Sequence, residues 1–336
     1  MRILVTGPFG YIGSALVPLL RNRPAVDEVV LLDDFSSGSP RVLAGQLDGD
    51  LEVHRGDVRE YGDVESVARG ADAVIHLAAI TGAASTHDRR DETFAVNLDG
   101  TENVLRAARK HDVDRVVFAS SCNVYGRATS SALDETAAAD PINPYAESKL
   151  AGEELLGEYV DEYDLSGTAL RMSTVYGWSP GVRFNLVVNY FVFRALTGRP
   201  LTVYGDGSNW RPFVHVADAA RAYTAAALHP DEWSRLRYNV GANEENYRVE
   251  DVAEIVHDAI SEATEDTTDD ATDGATDDVP VTYLEEEHPG PSYHVEFDRL
   301  AETGFDLEWS LPAGVRDLVA RFREDDVEAQ GTEVAA

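Results

Sequence analysis

The chain has 336 residues, 43% of them hydrophobic, which is too long for one small module and apolar enough for one large α/β unit or two fused lobes. Its 28 basic residues stand against 61 acidic ones, a net charge of -33, and a field of that sign repels phosphodiester backbones and anionic membrane surfaces, so neither nucleic acid nor membrane is an expected partner. Cys122 is the single cysteine, which excludes an intrachain disulfide, and a strand-like Ile3-Leu4-Val5 directly after Met1-Arg2, with no long apolar run anywhere, leads to the expectation of a cytoplasmic protein.

In chain order, short apolar runs near residues 2–6, 28–32, 72–77 and 115–119 alternate with helix-period stretches near 11–21, 61–69 and 93–111. Alternation of this kind predicts a Rossmann-type, doubly wound parallel sheet covered by helices. In such sheets ligands bind beyond the carboxyl ends of the strands, so the loops after residues 6, 32, 56, 77 and 119 should share one rim. On that rim Thr6-Gly7-Pro8-Phe9-Gly10-Tyr11-Ile12-Gly13 follows the first run and opens the first helix. Glycines there permit a tight turn and let helix-terminal N–H groups meet a pyrophosphate. The second run ends at Asp33, where a carboxylate accepts hydrogen bonds from a ribose and disfavours a 2′-phosphate, which predicts NAD rather than NADP.

Further along, Ser120-Ser121-Cys122-Asn123-Val124-Tyr125-Gly126 follows the run at 115–119 and brings hydroxyls to the same rim. Tyr145-Ala146-Glu147-Ser148-Lys149 places a phenol and an ammonium one helical turn apart. A cation beside a phenol is expected to lower its pKa, as proton abstraction from a hydroxyl requires. Lys149 is one of only two lysines, the other being Lys110. Acidic surplus with arginine in place of lysine leads to the expectation of a salt-adapted, halophilic protein, because a Debye length of about 3 Å at 1 M salt screens carboxylate repulsion.

After about residue 170 the rhythm loosens, with helical stretches near 184–197 and 216–228 and short strands near 201–204 and 280–284. The expected division is a dinucleotide-binding domain over 1–170 and a smaller α/β substrate lobe over 171–326, some of whose segments return to the first domain. Residues 261–279 carry eight carboxylates and little apolar surface, so an acidic flexible loop is expected there, and 327–336 a frayed tail. His76 and His215 lie in apolar segments and are read as core histidines; no His/Cys/Asp cluster has metal-ligand spacing, and no metal is expected.

Taken together, TGPFGYIG at 6–13, LLDDFSSG at 31–38, GDV at 56–58, HLAA at 76–79, NLDGT at 97–101, SSCNVYG at 120–126, YAESK at 145–149 and VYGDGSNWRPFVHVAD at 203–218 carry a resemblance over most of the chain. The chain resembles the extended short-chain dehydrogenase/reductase family, in particular its NAD-dependent nucleotide-sugar epimerases and dehydratases of the UDP-glucose 4-epimerase type. The resemblance implies that Gly7, Gly10, Tyr11 and Ile12, with Phe9 beside them, hold the pyrophosphate, Asp33 the adenosine ribose, and Asp57 with Val58 the adenine. It adds Asp34, Ser37, Gly38 and Asn97 as further cofactor contacts and makes Leu77, Ala78 and Ala79 the lining of the channel. By the same resemblance Tyr145 is the catalytic base, Lys149 its partner and a ligand of the nicotinamide ribose, and Ser121 the hydrogen-bonding hydroxyl. Substrate contacts are implied for Ser121, Tyr145, Thr174, Asn185, Arg211 and His288.

Three departures narrow the reaction. Dehydratases of the family carry Asp and Glu just after the catalytic hydroxyl, where this chain has Cys122 and Asn123, so dehydration is disfavoured. Cys122 is read as a small buried thiol. Thr174 stands where 4-epimerases often have asparagine, and His288-Pro289-Gly290-Pro291 replaces an Arg-Pro-Gly-Asp segment, leaving the second phosphate-binding arginine missing. The expected activity is epimerisation of a nucleotide sugar, of the UDP-glucose/UDP-galactose type, through a transient keto sugar. The alternatives left open are a sugar dehydrogenase or reductase using the same residues, a dehydratase, and a non-catalytic dinucleotide sensor. The resemblance also implies a homodimer joined through the helices near 93–111 and 145–163.

Overall fold

The structure, a computed structural model, describes residues 1–45, 51–82, 84–127, 132–163, 165–265, 279–285 and 292–333. In chain order the strands are β1 Arg2–Thr6, β2 Glu28–Asp33, β3 Leu51–Arg55, β4 Ala73–His76, β5 Arg115–Ser121, β6 Ser166–Met172, β7 Thr174–Tyr176, β8 Leu201–Tyr204, β9 Trp210–His215, β10 Arg237–Val240, β11 Asn246–Arg248 and β12 Val281–Leu284. The helices are α1 Tyr11–Arg21, α2 Tyr61–Ala68, α3 Arg90–Phe94, α4 Gly100–Lys110, α5 Pro144–Glu162, α6 Val187–Leu196, α7 Val216–Leu228, α8 Val249–Glu265, α9 Asp298–Ala301 and α10 Leu311–Glu333. Among the described residues seven strands form one parallel sheet in the order β3-β2-β1-β4-β5-β6-β10. The order reverses beside β1, which opens a crevice at the carboxyl ends of β1 and β4.

Burial explains the strands. Ile3, Leu4, Val5, Val30, Leu31, Val74 and Ile75 are 0% exposed, as a sheet covered on both faces demands. Each such side chain contributes about 1.5–3 kcal/mol by leaving water. Leu16, Val17 and Leu20 of α1 and Ala219, Tyr223 and Ala226 of α7 cover one face. Val64 and Val67 of α2, Val104 and Leu105 of α4 and Leu156 of α5 cover the other.

The expected Rossmann-type class is the one found, with differences of detail. β3 was hidden in the sequence because it is an edge strand, with Leu51, Glu52 and His54 half-buried and Val53 and Arg55 exposed, and charged edges deter strand addition. The helix expected at 93–111 is α3 and α4 joined by a π-turn over Ala95–Asp99. The boundary expected at 170 falls inside β6, and α7 and β10 pack back onto the large sheet.

The second lobe is a three-stranded sheet, β11-β9-β7, and a parallel pair, β12-β8, around which α6, α8 and α10 bury Val188, Phe191, Val252, Val256, Leu311 and Val315. Of the acidic segment 261–279, residues 261–265 end α8 and 266–278 lie outside the described residues, as does His288. The segment 327–333, read as a tail, continues α10, consistent with helix-favouring Glu, Ala and Gln in it. Among the described residues no helix is long and apolar enough to cross a membrane.

Candidate active site

Thr6 ends β1 and Gly7 turns the chain at φ +69, where a Cβ would stand 2.7 Å from the Ala78 backbone nitrogen. Only glycine allows that approach. Gly10 is the N-cap of α1 and offers no capping side chain, so the first N–H groups of the helix point to the crevice. At the end of β2 the Asp33 carboxylate accepts from the Phe35 N–H (2.9 Å) and the Phe9 N–H (3.4 Å). Burial pushes its pKa up while those two N–H groups pull it down. Asp34 accepts from the Ser36 N–H at 2.8 Å, and Gly38 passes so close to Phe9 that a Cβ would lie 2.5 Å from its carbonyl oxygen. Beyond β3, Asp57 is paired with Arg59 at 2.5 Å, which holds its carboxyl below the usual range, and Val58 packs against Gly100. Uncapped N–H groups, a backbone cradle without Cβ atoms and a half-buried carboxylate at the end of β2 fit a dinucleotide.

Leu77, Ala78 and Ala79 form the facing wall, held by the Leu77 N–H on the Thr6 carbonyl (3.1 Å) and the Ala78 N–H on Thr6 Oγ1 (3.2 Å). Asn97 sits in the π-turn, an irregularity common at functional sites. Its amide accepts from the Ile80 N–H (2.8 Å) and donates to the Ile80 carbonyl and to Ser148 Oγ (2.9 Å each). The structure therefore makes Asn97 a clamp between the wall and α5 rather than a group aimed into the channel. Behind the wall, Thr101 Oγ1 donates to the Asn97 carbonyl (2.6 Å), so it accepts from His76 Nε2–H (3.0 Å), leaving His76 Nδ1 to accept from Thr6 Oγ1 (2.7 Å). Burial pulls the pKa of His76 down to about 3, which matches this neutral tautomer.

Asn143 caps α5 through the Ala146 N–H (2.9 Å), and Pro144 occupies the first turn. Tyr145 and Lys149 then project from one face toward the end of β5, where the Ser121 hydroxyl acts on the Tyr145 phenol and favours its ionised form. Ser121 Oγ accepts from the Asn123 N–H (3.2 Å) and Asn123 Nδ2 (3.1 Å), so its own proton is left for Tyr145 Oη.

The expected direction of the tyrosine shift needs correction. Burial raises the Tyr145 pKa, and Ser121 and the Arg183 charge act against that rise. Lys149, 2% exposed with Nζ 6.0 Å from the Tyr145 ring centroid and 4.9 Å from that of Phe118, is itself pulled down to about 7 by burial. Spacing showed the pair but not the dryness of its pocket.

Cys122 is 1% exposed, its thiol faces the Arg171 carbonyl at 3.2 Å, and burial pushes it up to about 12. It is a packed, unreactive thiol. Below it Glu153, 0% exposed, accepts from Ser120 Oγ (2.5 Å), Arg171 (2.9 and 2.7 Å) and Arg237 (2.7 Å), which binds α5 to β5, β6 and β10.

Of the substrate-side residues, Thr174 opens β7 two positions beyond Met172, the register partner of Ser121. Arg211 on β9 stacks on Tyr293 with its guanidinium carbon 5.1 Å from the ring centroid. The Tyr293 hydroxyl donates to Asn123 Oδ1 at 3.2 Å, so Arg211, Tyr293, Asn123 and Ser121 form one continuous series. On the other flank exposed Asn185 accepts from Arg183 Nε at 3.2 Å. Arg183, Tyr293 and the Asn123 amide were missed from sequence, because they join the site only through packing between distant segments. Among the described residues no group of His, Cys, Asp or Glu is placed to hold a metal ion.

The sheet order, glycine turn and Ser/Tyr/Lys constellation define a dinucleotide-dependent enzyme acting on a hydroxyl-bearing substrate. The chain belongs to the NAD dependent epimerase/dehydratase family, whose model matches residues 3–241. It is 31% identical over 258 residues to a putative UDP-glucose 4-epimerase of Methanocaldococcus jannaschii, covering 76% of this chain and 81% of that one. It is 33% identical over 234 residues to a dTDP-glucose 4,6-dehydratase of Streptomyces niveus, covering 68% and 69%. The structure of the Thermus thermophilus UDP-glucose 4-epimerase in complex with NAD superposes with a TM-score of 0.77 at 29% identity, over 96% of this chain and 99% of that one.

Proposed function

We propose that the protein is an NAD-dependent nucleotide-sugar 4-epimerase interconverting sugars of the UDP-glucose and UDP-galactose type. The observation that carries this reading is the pairing of the Ser121–Tyr145–Lys149 constellation with Cys122 and Asn123. Elimination of water needs an added acid and base. Here Cys122 is buried against a backbone carbonyl, and the Asn123 amide is engaged with Ser121 and Tyr293. What remains is proton exchange at one hydroxyl.

In this reading the N-terminal turn of α1, with Gly7, Gly10, Tyr11 and Ile12, receives the pyrophosphate, and Asp33 receives the ribose hydroxyls. Phe9, Asp34, Ser37, Gly38, Asp57 and Val58 surround the adenosine end. When bound, NAD would supply a hydride acceptor and donor beside the sugar carbon. Ser121 orients the sugar hydroxyl, and Tyr145 Oη takes its proton as the C–H hydride leaves. Lys149 stabilises the phenolate form from which that step starts. The keto sugar turns over in the cleft while Asn185 and Arg211 hold its diphosphate. Tyr145 Oη then returns the proton, so no net oxidation occurs.

The test incubates the protein with NAD and either UDP-sugar in multimolar KCl, following C4 configuration by NMR and NADH by absorbance. Interconversion without NADH build-up supports the proposal; steady NADH formation replaces it with a dehydrogenase, and a 4-keto-6-deoxy product with a dehydratase.

The surroundings of the site extend the proposal. The protein is taken to be cytoplasmic and halophilic, on its composition, and a homodimer through α4 and α5. The outer face of these helices carries a Tyr159–Tyr163 ring pair at 5.3 Å with Arg109 lying 3.8 Å over Tyr163, apolar and cationic surface suited to a helix-on-helix contact. Sedimentation in high KCl showing monomer alone would remove the dimer.

A further inference from the structure

We propose that Arg183 is a pyrophosphate-binding residue of the cleft, donating to a diphosphate that lies between the turn at Gly10 and Tyr145. The assignment rests on the nucleotide-sugar reading above and concerns a residue for which that reading has no role.

The segment from Gly177 to Leu186 is built on the first turn of α1. Ser179 Oγ donates to the Tyr11 carbonyl (2.9 Å), the Gly181 N–H donates to Ser14 Oγ (3.0 Å), and a Cβ on Gly181 would lie 2.9 Å from the Gly10 carbonyl oxygen. Buried Asn189 completes the mounting, donating from Nδ2 to the Arg183 carbonyl (3.0 Å) and the Tyr11 hydroxyl (3.1 Å). The Arg183 backbone is thereby fixed directly over the glycine turn.

From this mount the guanidinium crosses the cleft. Nη1 donates to Thr81 Oγ1, 102 positions away on the loop after β4, and Nε donates to Asn185 Oδ1 at 3.2 Å. Its charge reaches both Tyr11 on the glycine-turn side and Tyr145 on the reactive side. In a chain of 61 acidic residues, Arg183 has no carboxylate in ion-pair range among the described residues. A part-buried guanidinium with five N–H donors that, among the described residues, meets only a hydroxyl and an amide retains donors for an anion, and phosphate oxygens match its planar fork. The Thr81 contact is the placeholder that an anion would displace. With Arg211 on the opposite flank, the cleft then presents two guanidinium groups on either side of Ser121 and Tyr145.

The diphosphate can belong to the dinucleotide or to the nucleotide sugar, and calorimetry separates them. NAD alone, and UDP in the presence of saturating NAD, are titrated into wild type, Arg183→Gln, Arg183→Lys and Thr81→Val in the same KCl buffer, with circular dichroism of each. The expected result is at least a tenfold loss of affinity for one of the two ligands in Arg183→Gln, partly restored in Arg183→Lys, and undiminished affinity in Thr81→Val. Loss for NAD assigns the dinucleotide, and loss for UDP alone the nucleotide sugar. Wild-type affinity of Arg183→Gln for both ligands overturns the assignment. So does an equal loss in Thr81→Val, which would make the contact a clamp between lobes. A wild type that binds neither ligand overturns the epimerase reading and this assignment with it.

Discussion

At Lys149 burial pulls the ammonium down to about 7, while at Tyr145 burial pushes the phenol up, so each group alone prefers its neutral form. A phenolate and an ammonium formed together compensate one another in the same dry pocket, and Ser121 adds its proton to the phenolate oxygen. Tyr145→Phe is expected to lower kcat by about 10³-fold with NAD affinity changed little, since only the proton acceptor is lost; single-turnover rates and calorimetry check this. Lys149→Met tests the electrostatics separately. Because the folded pKa of about 7 lies below the ordinary 10.5, the unfolded chain binds the proton more tightly, and the wild type is penalised most below pH 7, progressively less up to pH 10.5, and not above it. The cofactor-free variant should therefore melt above wild type at pH 6 and converge with it toward pH 10. A melting difference that does not vary with pH would show that the lysine is not desolvated.

On α5, Tyr145, Lys149 and Glu153 recur at four-residue intervals, so one helical face carries the phenol, the ammonium and the buried carboxylate. Glu153 is a positioning residue. Replacing it with glutamine leaves Arg171 and Arg237 facing a neutral amide, a loss of about 3–5 kcal/mol for a broken buried pair, seen as a lower urea midpoint. Its separate signature is a fall in kcat with KM nearly unchanged, because Ser120 and hence Ser121 lose their tether. At the other end of the sheet, Gly7→Ala combines a positive φ with a 2.7 Å approach to Ala78. It is expected to cost about 1–3 kcal/mol and to remove NAD binding, which calorimetry and thermal melting measure side by side.

Across the whole molecule a net charge of -33 spreads like-charge repulsion over the surface. Ion pairs such as Arg89–Glu92 and Lys110–Glu65 lie at the surface, where solvent screens them, so they do not offset the surplus of carboxylates. Unfolding spreads those charges apart, and screening removes the advantage of doing so. The melting temperature should rise steadily from dilute buffer to molar KCl, and a flat or falling profile would contradict halophily.

How much of this was legible in the sequence follows from the range over which each feature is decided. The glycine turn at 7–13, the acid at 33 and the phenol–ammonium spacing at 145 and 149 are set by dihedral freedom and helical period within a few residues, so the parallel-sheet fold, the turn after β1 and the shared face of Tyr145 and Lys149 could be read directly. β3 escaped because an edge strand needs only one buried neighbour and disguises itself with charge. Asn97 was expected as a cofactor contact by resemblance, whereas the π-turn aims its amide at Ile80 and Ser148, which no spacing rule encodes. Arg183 meets Thr81 across 102 positions and Tyr293 meets Asn123 across 170, contacts that exist only once the second lobe has closed on the sheet. The sense of the Tyr145 shift was decided the same way: proximity of a cation is local, whereas desolvation is the sum of everything packed around it, and only the tertiary structure performs that sum.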